Sequence, residues 1–509
     1  MLFSQESLFI VILTTTFILY ASTSFPSITG GDTGELLAEA CQLGVAHPPG
    51  YPLFLMLNHL AMRVADILAP GAAGAPAFAA NLLSCAFGAL AAAMAAIAVH
   101  EWSGSQRMTS SVPEAATAGG IVAAALFALS PLTWEYSTGS EVFALNNALM
   151  AVLIWLTAKV GTAMHSEAST TTLSKSSAAL SPQNESPWSI HIALALPWAR
   201  AGALVSGLAL ANQHTALLFV VPLVATVLVW LVPPKPSQAA GTPLLASLPS
   251  KSTHDDFKSF TWQLVGLAIF FMLGLGPYAY LVVAAQKHTV NGSAPPGSWG
   301  DTGTLAGFWK HVTRGEYGTF TMLTFGAKHG TSRTTESAWE RAVLWLQDAS
   351  LQTSGAGPLL AAMSVITALI VFVMATMASK PSPPPQQSIS TTKKNKSKKE
   401  KLNVADNAGT VTESVSTLAE TKVETTSSMT AYDQVALAFV TTLLFYTLIW
   451  NSIFSNLPLT NNPMARAVHS RFWMQPNLLL SVHVLDHGNI WGIALFDSSK
   501  SVTRTQNPG

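Results

Sequence analysis

The sequence predicts an all-α polytopic membrane protein, and three observations carry that prediction. Mean hydropathy is +0.37, with 49% hydrophobic residues and only 10% charged ones. Several apolar runs approach or exceed the roughly 20 residues a helix needs to cross a bilayer. Between them lie stretches rich in Ser, Pro, Gly and Thr that suit connections rather than spans. Net charge is zero, with 26 basic and 26 acidic residues, so no global basic field points to nucleic acid. Two cysteines, Cys41 and Cys85, cannot build a disulfide framework and read as small apolar fillers.

Taken in order, Ser7 to Phe25 is an apolar helix with no Lys or Arg ahead of it, which suits a retained signal anchor better than a cleaved leader. Tyr51 to Leu68 is apolar but carries Asn58, His59, Arg63 and Asp66, a stripe that suits a helix lying in the interface. Phe78 to His100, Ala118 to Leu132 and Val142 to Val160 read as spans. Residues 161–198 and 233–260 read as linkers. Arg200 to Val232 is too long for one crossing at about 1.5 Å per residue. Asn212-Gln213-His214-Thr215 near its middle predicts two short helices meeting at a polar turn.

Trp262 to Val283 spans, followed by a long non-apolar loop over 284–354, and Pro358 to Met377 spans again. Residues 381–430 contain KKNKSKKEK and read as disordered. Val435 to Phe454 spans, Phe472 to Val484 begins a similar segment, and 486–509 reads as an aberrant or truncated tail. Lysine-rich loops stay cytoplasmic. Counting back from 381–430 places the loop at 26–77, the 133–141 turn, the 212–215 turn and the 284–354 loop on one outer, lumenal face.

The densest polar stretch is Ser27 to Phe54, SITGGDTGELLAEACQLGVAHPPGYPLF. Gly30-Gly31 allows a sharp turn before Asp32, and Pro48-Pro49-Gly50 closes the stretch stiffly. Between them TGELLAEACQL has helical periodicity, with Leu36, Leu37, Ala40 and Leu43 on one side. Asp32, Glu35 and Glu39 share the other side. Two readings of Asp32 compete. Asp32-Thr33-Gly34-Glu35 has the pattern of a capping box; alternatively, the glycines bring a reactive carboxylate close to a substrate. Glu39 reads as a solvated helix face.

Five segments carry a resemblance: GGDTGELLAEACQLGVAHPPGYPLF, WEYSTGSEVFALNN, GLALANQHTALL, WGDTGTLAGFWKHVTRGEYGTF and RFWMQ. Together they resemble the transmembrane protein 260 family (domain of unknown function 2723), which looks like the GT-C class of lipid-linked-sugar glycosyltransferases. The resemblance implies a GT-C-like helical bundle with a catalytic first lumenal loop and interfacial helices. It also implies an endoplasmic-reticulum, multi-pass protein O-mannosyltransferase. Its donor would be a dolichyl or polyprenyl phosphate sugar and its acceptors Ser or Thr hydroxyls of lumenal IPT-like domains. Within that frame 1–380 is the catalytic membrane domain, 381–430 a cytoplasmic linker and 431–485 a C-terminal membrane part.

Transfer from a phosphate leaving group needs no general acid, so one carboxylate that takes the hydroxyl proton suffices. A glycosidase differs, because its alkoxide leaving group needs a second carboxyl as acid. Displacement in one step predicts inversion at the sugar carbon. Asp32 is the expected base and Glu35 the second catalytic candidate. His47, ahead of the double proline, suits a phosphate or an acceptor as well as a structural role. Arg63 suits a lipid phosphate or simple snorkelling to headgroups. Glu141, at the start of a span, is either functional or a complement to the helix dipole. Asn212 and His214, within an apolar stretch, need partners, either each other or a ligand. Trp299 suits stacking on a sugar face, beside Asp301. Arg314, with Glu316 and Tyr317, suits bidentate pairing with a phosphate, or else an internal contact with Glu316 that structures the loop. Arg471 is a further phosphate candidate, or else a membrane anchor. No HExxH, DxD or His/Cys cluster is present, so catalysis without a bound metal or other cofactor is expected. The competing functions are a GT-C enzyme using another lipid-linked sugar or a glycolipid acceptor, and a secondary transporter built on interrupted helices.

Overall fold

The computed structural model describes residues 4–104, 112–165, 187–233, 251–290, 297–315, 336–353, 431–454 and 457–483. Every regular element among them is helical. Among the described residues seven helices are long and apolar enough to cross a membrane, or eight if a bent pair is one span. The protein is therefore a polytopic helical membrane protein.

Helix α1 (Gln5–Ser22) is capped by Ser4, whose hydroxyl accepts from Ser7 N–H. Two short amphipathic helices follow, α2 (Thr33–Gln42) and α3 (Pro52–Leu68). In α3, Phe54, Leu55 and Met62 are buried while Met56, Leu60, Val64 and Ile67 are exposed. The second apolar face suits contact with lipid. The hub is α4 (Ala75–Gly104), which packs against α1, α3, α5 (Val112–Ala128), α6 (Pro131–Thr138) and α7 (Val142–His165). Its Ala89, Ala91, Ala92, Ala95 and Ala96 are fully buried. Small side chains let neighbouring helices approach closely where lipid offers no competing hydrophobic drive.

The expected span at Ala118–Leu132 is broken instead. Residue 128 ends α5, and α6 leaves at 69°. Ser130 caps α6 by accepting from Thr133 N–H, and Pro131 occupies the first turn, where its missing N–H costs nothing. The bend leads into the start of α7 and places Glu141 beside the 25–32 loop.

The break expected around 212–215 is present. Helix α8 (Pro187–Asn212) ends there, a 3-10 turn covers His214–Ala216, and α9 (Leu217–Leu231) continues. Both halves are long enough to span, so only the expectation of short helices needs correction. The linker at 161–198 is also shorter than expected, because α7 continues to His165 and α8 starts at Pro187. Helix α10 (Lys251–Gly274) likewise begins inside the expected 233–260 linker. The first turns of α10, Lys251 to Thr261, are mostly polar residues that composition alone assigns to a loop. A 3-10 turn, Gly276–Tyr278, joins α10 to α11 (Ala279–Val290).

The 284–354 loop carries two helices of its own, α12 (Leu305–Val312) and α13 (Ala338–Gln352). Ser337 and Glu340 form a full capping box on the latter. Helix α14 (Ala431–Ile449) continues as a π-turn to Phe454 and packs on α9 and α7. Helix α15 (Pro463–Ser470) leads through the Arg471–Trp473 turn into a final helix over 474–483. The span expected at Pro358–Met377, the basic stretch at 381–430 and the tail at 486–509 lie outside the described residues.

Candidate active site

The four polar segments expected on one face meet at one end of the bundle. Phe25 N–H donates to Thr138 O, Asn212 Nδ2 to Val142 O, and Trp299 N–H to Val45 O. Arg471 reaches Asp32.

Gly31 makes the turn into the site at φ +73°, a left-handed conformation that a side chain resists. Asp32 follows as the first residue before α2, but its side chain makes no capping hydrogen bond. The capping reading therefore does not hold. Arg471 Nη1 donates to Asp32 Oδ2 at 3.3 Å, and the same nitrogen lies 3.7 Å from Glu141 Oε2. Glu141 Oε1 accepts from the Asp32 backbone N–H at 3.1 Å. The Arg471 guanidinium also lies over the Phe143 ring, 5.4 Å from its centre.

The two acids differ in access. The Asp32 side chain is 44% exposed and that of Glu141 only 6%. Burial lifts the Glu141 carboxyl from the ordinary 4.5 to about 7, with Arg471 opposing the rise and Asp32 adding to it. Burial works to lower the Arg471 guanidinium, but Glu141, Tyr136 and Asp32 outweigh it and push its pKa up. Asp32 is thus the accessible acid, and Glu141 is the buried anchor that fixes its backbone.

Adding a Cβ at Gly31 would place it 2.8 Å from Glu141 Oε1. Gly31→Ala is accordingly expected to destabilise the protein by about 1–2 kcal/mol through its left-handed backbone. Displacing Glu141 should reduce turnover beyond that loss. Thermal melting read beside activity checks this, and unchanged values in both would show that the turn does not hold the acids.

Glu35 serves a second group. His47 Nδ1 lies 3.1 and 3.0 Å from its two carboxylate oxygens, and His47 N–H donates to Oε1 at 2.7 Å. Burial acts to raise the Glu35 pKa, but the hydrogen bonds and charge of His47 outweigh it and hold it low. Tyr51 Oη is 3.2 Å from His47 Nε2, and the Trp299 ring stands edge-on to the imidazole at 6.4 Å. Tyr51 feels the charges of Arg314, Asp32, Arg471 and Glu141. Arg314 is also in the wall of a neighbouring cavity.

That cavity holds about 600 Å³ and is mostly apolar, with His214, Tyr278, Trp309 and Arg314 in its wall. A second apolar cavity of about 540 Å³ shares Leu210 and Leu217 with it and continues between the spans. Tyr278 OH donates to Leu210 O at 2.8 Å, so its lone pair is left to accept from His214 Nε2 at 2.6 Å. A smaller crevice of about 280 Å³ lies on the other side of the acids, lined by Gly30, Gly31, Glu135, Tyr136, Glu141 and Arg471.

Not every expected residue arrives here. Arg63 is exposed and pairs with Asp66 at 3.9 Å, within its own helix. Asn212 and His214 do not pair with each other; their partners are Val142 O and Tyr278. Asp301 is exposed and accepts from Thr304 Oγ1 at 3.2 Å, a local contact at the start of α12. Glu316 and Tyr317 lie outside the described residues. Glu39 is only 1% exposed, not solvated, because the segment at 297–303 covers that face of α2. Tyr51 and Tyr136 were not singled out from sequence; only their place beside the acidic motifs marks them.

Residues 32–237 match the family described as "Protein O-mannosyl-transferase TMEM260 N-terminal domain". Over 296 residues the chain is 34% identical to a Mus musculus protein named "Protein O-mannosyl-transferase TMEM260", covering 58% of this chain and 32% of that protein. A Dictyostelium discoideum protein of the same name is 29% identical over 305 residues, covering 60% of this chain and 30% of that one. The matched stretch thus spans about a third of the length of these curated relatives. No solved structure matches.

Proposed function

We propose, since residues 32–237 match the TMEM260 family's N-terminal domain, that this chain is the membrane part of a protein O-mannosyltransferase of the endoplasmic reticulum. Its donor is a dolichyl or polyprenyl phosphate sugar, and its acceptors are Ser or Thr hydroxyls of lumenal IPT-like domains. Residues 1–380 form a GT-C-like catalytic domain, and 381–430 is a cytoplasmic linker. The membrane part at 431–485 lends Arg471 to the site.

One observation carries this reading. An accessible carboxylate, Asp32, is held by Arg471 and the buried Glu141, which line a small crevice, and Tyr51 feels both Asp32 and Arg314, the guanidinium in the wall of the apolar cavity. The two neighbouring apolar cavities suit a long isoprenoid chain, and Arg314 suits its phosphate. Trp299 beside His47 suits the sugar face. In the reaction, Asp32 takes the acceptor hydroxyl proton as its oxygen forms a bond to the sugar's anomeric carbon. The bond from that carbon to the phosphate oxygen breaks, and the lipid monophosphate leaves with the electron pair. One displacement inverts the anomeric carbon.

The test gives membranes containing the full chain labelled dolichyl-phosphate mannose and a folded IPT domain. Label on Ser or Thr of the acceptor, in the inverted configuration, is the expected result. Label that stays on lipid, or that moves only to a glycolipid, overturns the reading.

A further inference from the structure

We propose that Glu39 is a positioning residue: its buried carboxyl clasps the 297–303 segment onto α2 and so holds Trp299 beside His47. The inference rests on the function proposed above only for its effect on donor binding. The clasp itself stands on geometry.

Glu39 sits one turn beyond Glu35 on α2 and is 1% exposed. Its Oε2 is buried without a hydrogen-bond partner among the described residues. Three small residues make room for the carboxyl. A Cβ on Gly44 would overlap Oε2, a Cβ on Gly297 would stand 3.2 Å from Oε1, and the Ser298 hydroxyl stands close enough to the carboxyl to favour its charged form. Around this point the two segments are stitched together. Trp299 N–H donates to Val45 O at 2.8 Å, Val45 N–H to Ser298 Oγ at 2.7 Å, and Tyr280 OH to Gly44 O at 2.7 Å.

Among the described residues the groups acting on Glu39 are the Ser298 hydroxyl, the Val45 N–H, the Tyr280 phenol and the Glu35 carboxylate, and none of these is a cation. A buried carboxylate with no cation and one unmatched oxygen is costly, whereas the neutral acid places a proton on that oxygen. Burial, with Glu35 adding to it, accordingly raises the Glu39 pKa. Ionisation should therefore loosen the stitch and let Trp299 leave His47. This gives the site a device that weakens sugar binding as pH rises, separate from the proton transfer at Asp32.

The test follows amide hydrogen exchange at Trp299 and Val45 in the full chain in detergent, between pH 5 and 8 and corrected for intrinsic exchange. In the wild type, protection should fall as pH rises. Glu39→Gln, which keeps the neutral shape, should stay protected throughout, and Glu39→Ala should lose protection at every pH. In transfer assays Glu39→Ala should raise the donor KM about tenfold, the scale of a lost aromatic contact, with kcat nearly unchanged. Glu39→Gln should restore that KM. Wild-type protection in Glu39→Ala, or Glu39→Gln behaving as Glu39→Ala, overturns the proposal. So does a kcat that falls in place of the rise in KM. Exchange needs no activity, so a chain that transfers no sugar but shows the expected exchange pattern supports the clasp and counts against the proposed function alone.

Discussion

Asp32→Asn is expected to lower transfer by between about a hundredfold and ten-thousandfold, the range spanned by removing a positioned general base. Asparagine keeps the shape of the side chain and can still accept from Arg471, but it cannot hold the acceptor's proton. Donor KM should change little, because the sugar and phosphate are assigned to Trp299 and Arg314 rather than to Asp32. Stability should also change little. The Asp32 side chain is 44% exposed, and an ion pair of that kind contributes at most about 1 kcal/mol. The contrast is Glu35→Gln. Glu35 accepts from both the backbone and the ring of His47, so glutamine should disturb donor binding before it disturbs turnover. Initial rates with labelled donor, beside thermal melting of each variant, separate the two cases. Asp32→Asn turning over at the wild-type rate would falsify the assignment of the base, whatever happened at Glu35.

The reason Asp32 could be singled out from sequence is local. Glycines before it and an amphipathic helix after it are legible in one short stretch, and so are most of the spans, because apolar length is a property of consecutive residues. What the pattern does not encode is which segments meet. The Asp-x-x-Glu spacing is equally good as a capping box, and only Arg471, more than four hundred residues later in the chain, draws the aspartate away from its own helix. Glu39 shares a helix face with Glu35 and looks solvated by the same rule, yet the 297–303 segment covers it. Asn212 and His214 were rightly expected to have partners, but those partners come from α7 and from the 276–278 turn. Helix ends differ from the expectation where polar residues continue a helix, as before Trp262, and where apolar residues lie next to a Ser/Thr-rich stretch, as before Arg200. Composition marks polarity, whereas hydrogen bonding from residue to residue decides where a helix stops.

Arg471→Met should be the most destabilising change at the site, and its size should depend on pH. Arg471 faces two acids. Asp32 can turn to water if the guanidinium is removed, but the Glu141 side chain is 6% exposed and cannot. Stranding one member of a buried pair costs about 3–5 kcal/mol while it stays charged. Glu141 already carries a raised pKa of about 7 in the folded protein, against 4.5 for an ordinary carboxyl. The folded state therefore binds more protons than the unfolded state between those values, and stability falls as pH rises through that window. Below it Glu141 is neutral in both states and the burden vanishes; above it the burden is full. Without Arg471 to oppose burial, the folded pKa moves higher and the decline extends further into the alkaline range. Arg471→Met should therefore cost little near pH 4.5 and most near pH 8, and adding Glu141→Gln should recover most of the loss at pH 8 by removing the stranded charge. Thermal melting of the wild type, both single variants and the double variant at the two pH values closes the cycle. A loss of equal size at both pH values, or a double variant no more stable than Arg471→Met alone, would mean that Glu141 is not the buried charge that Arg471 holds. Asp32 would then lose the anchor that fixes its backbone.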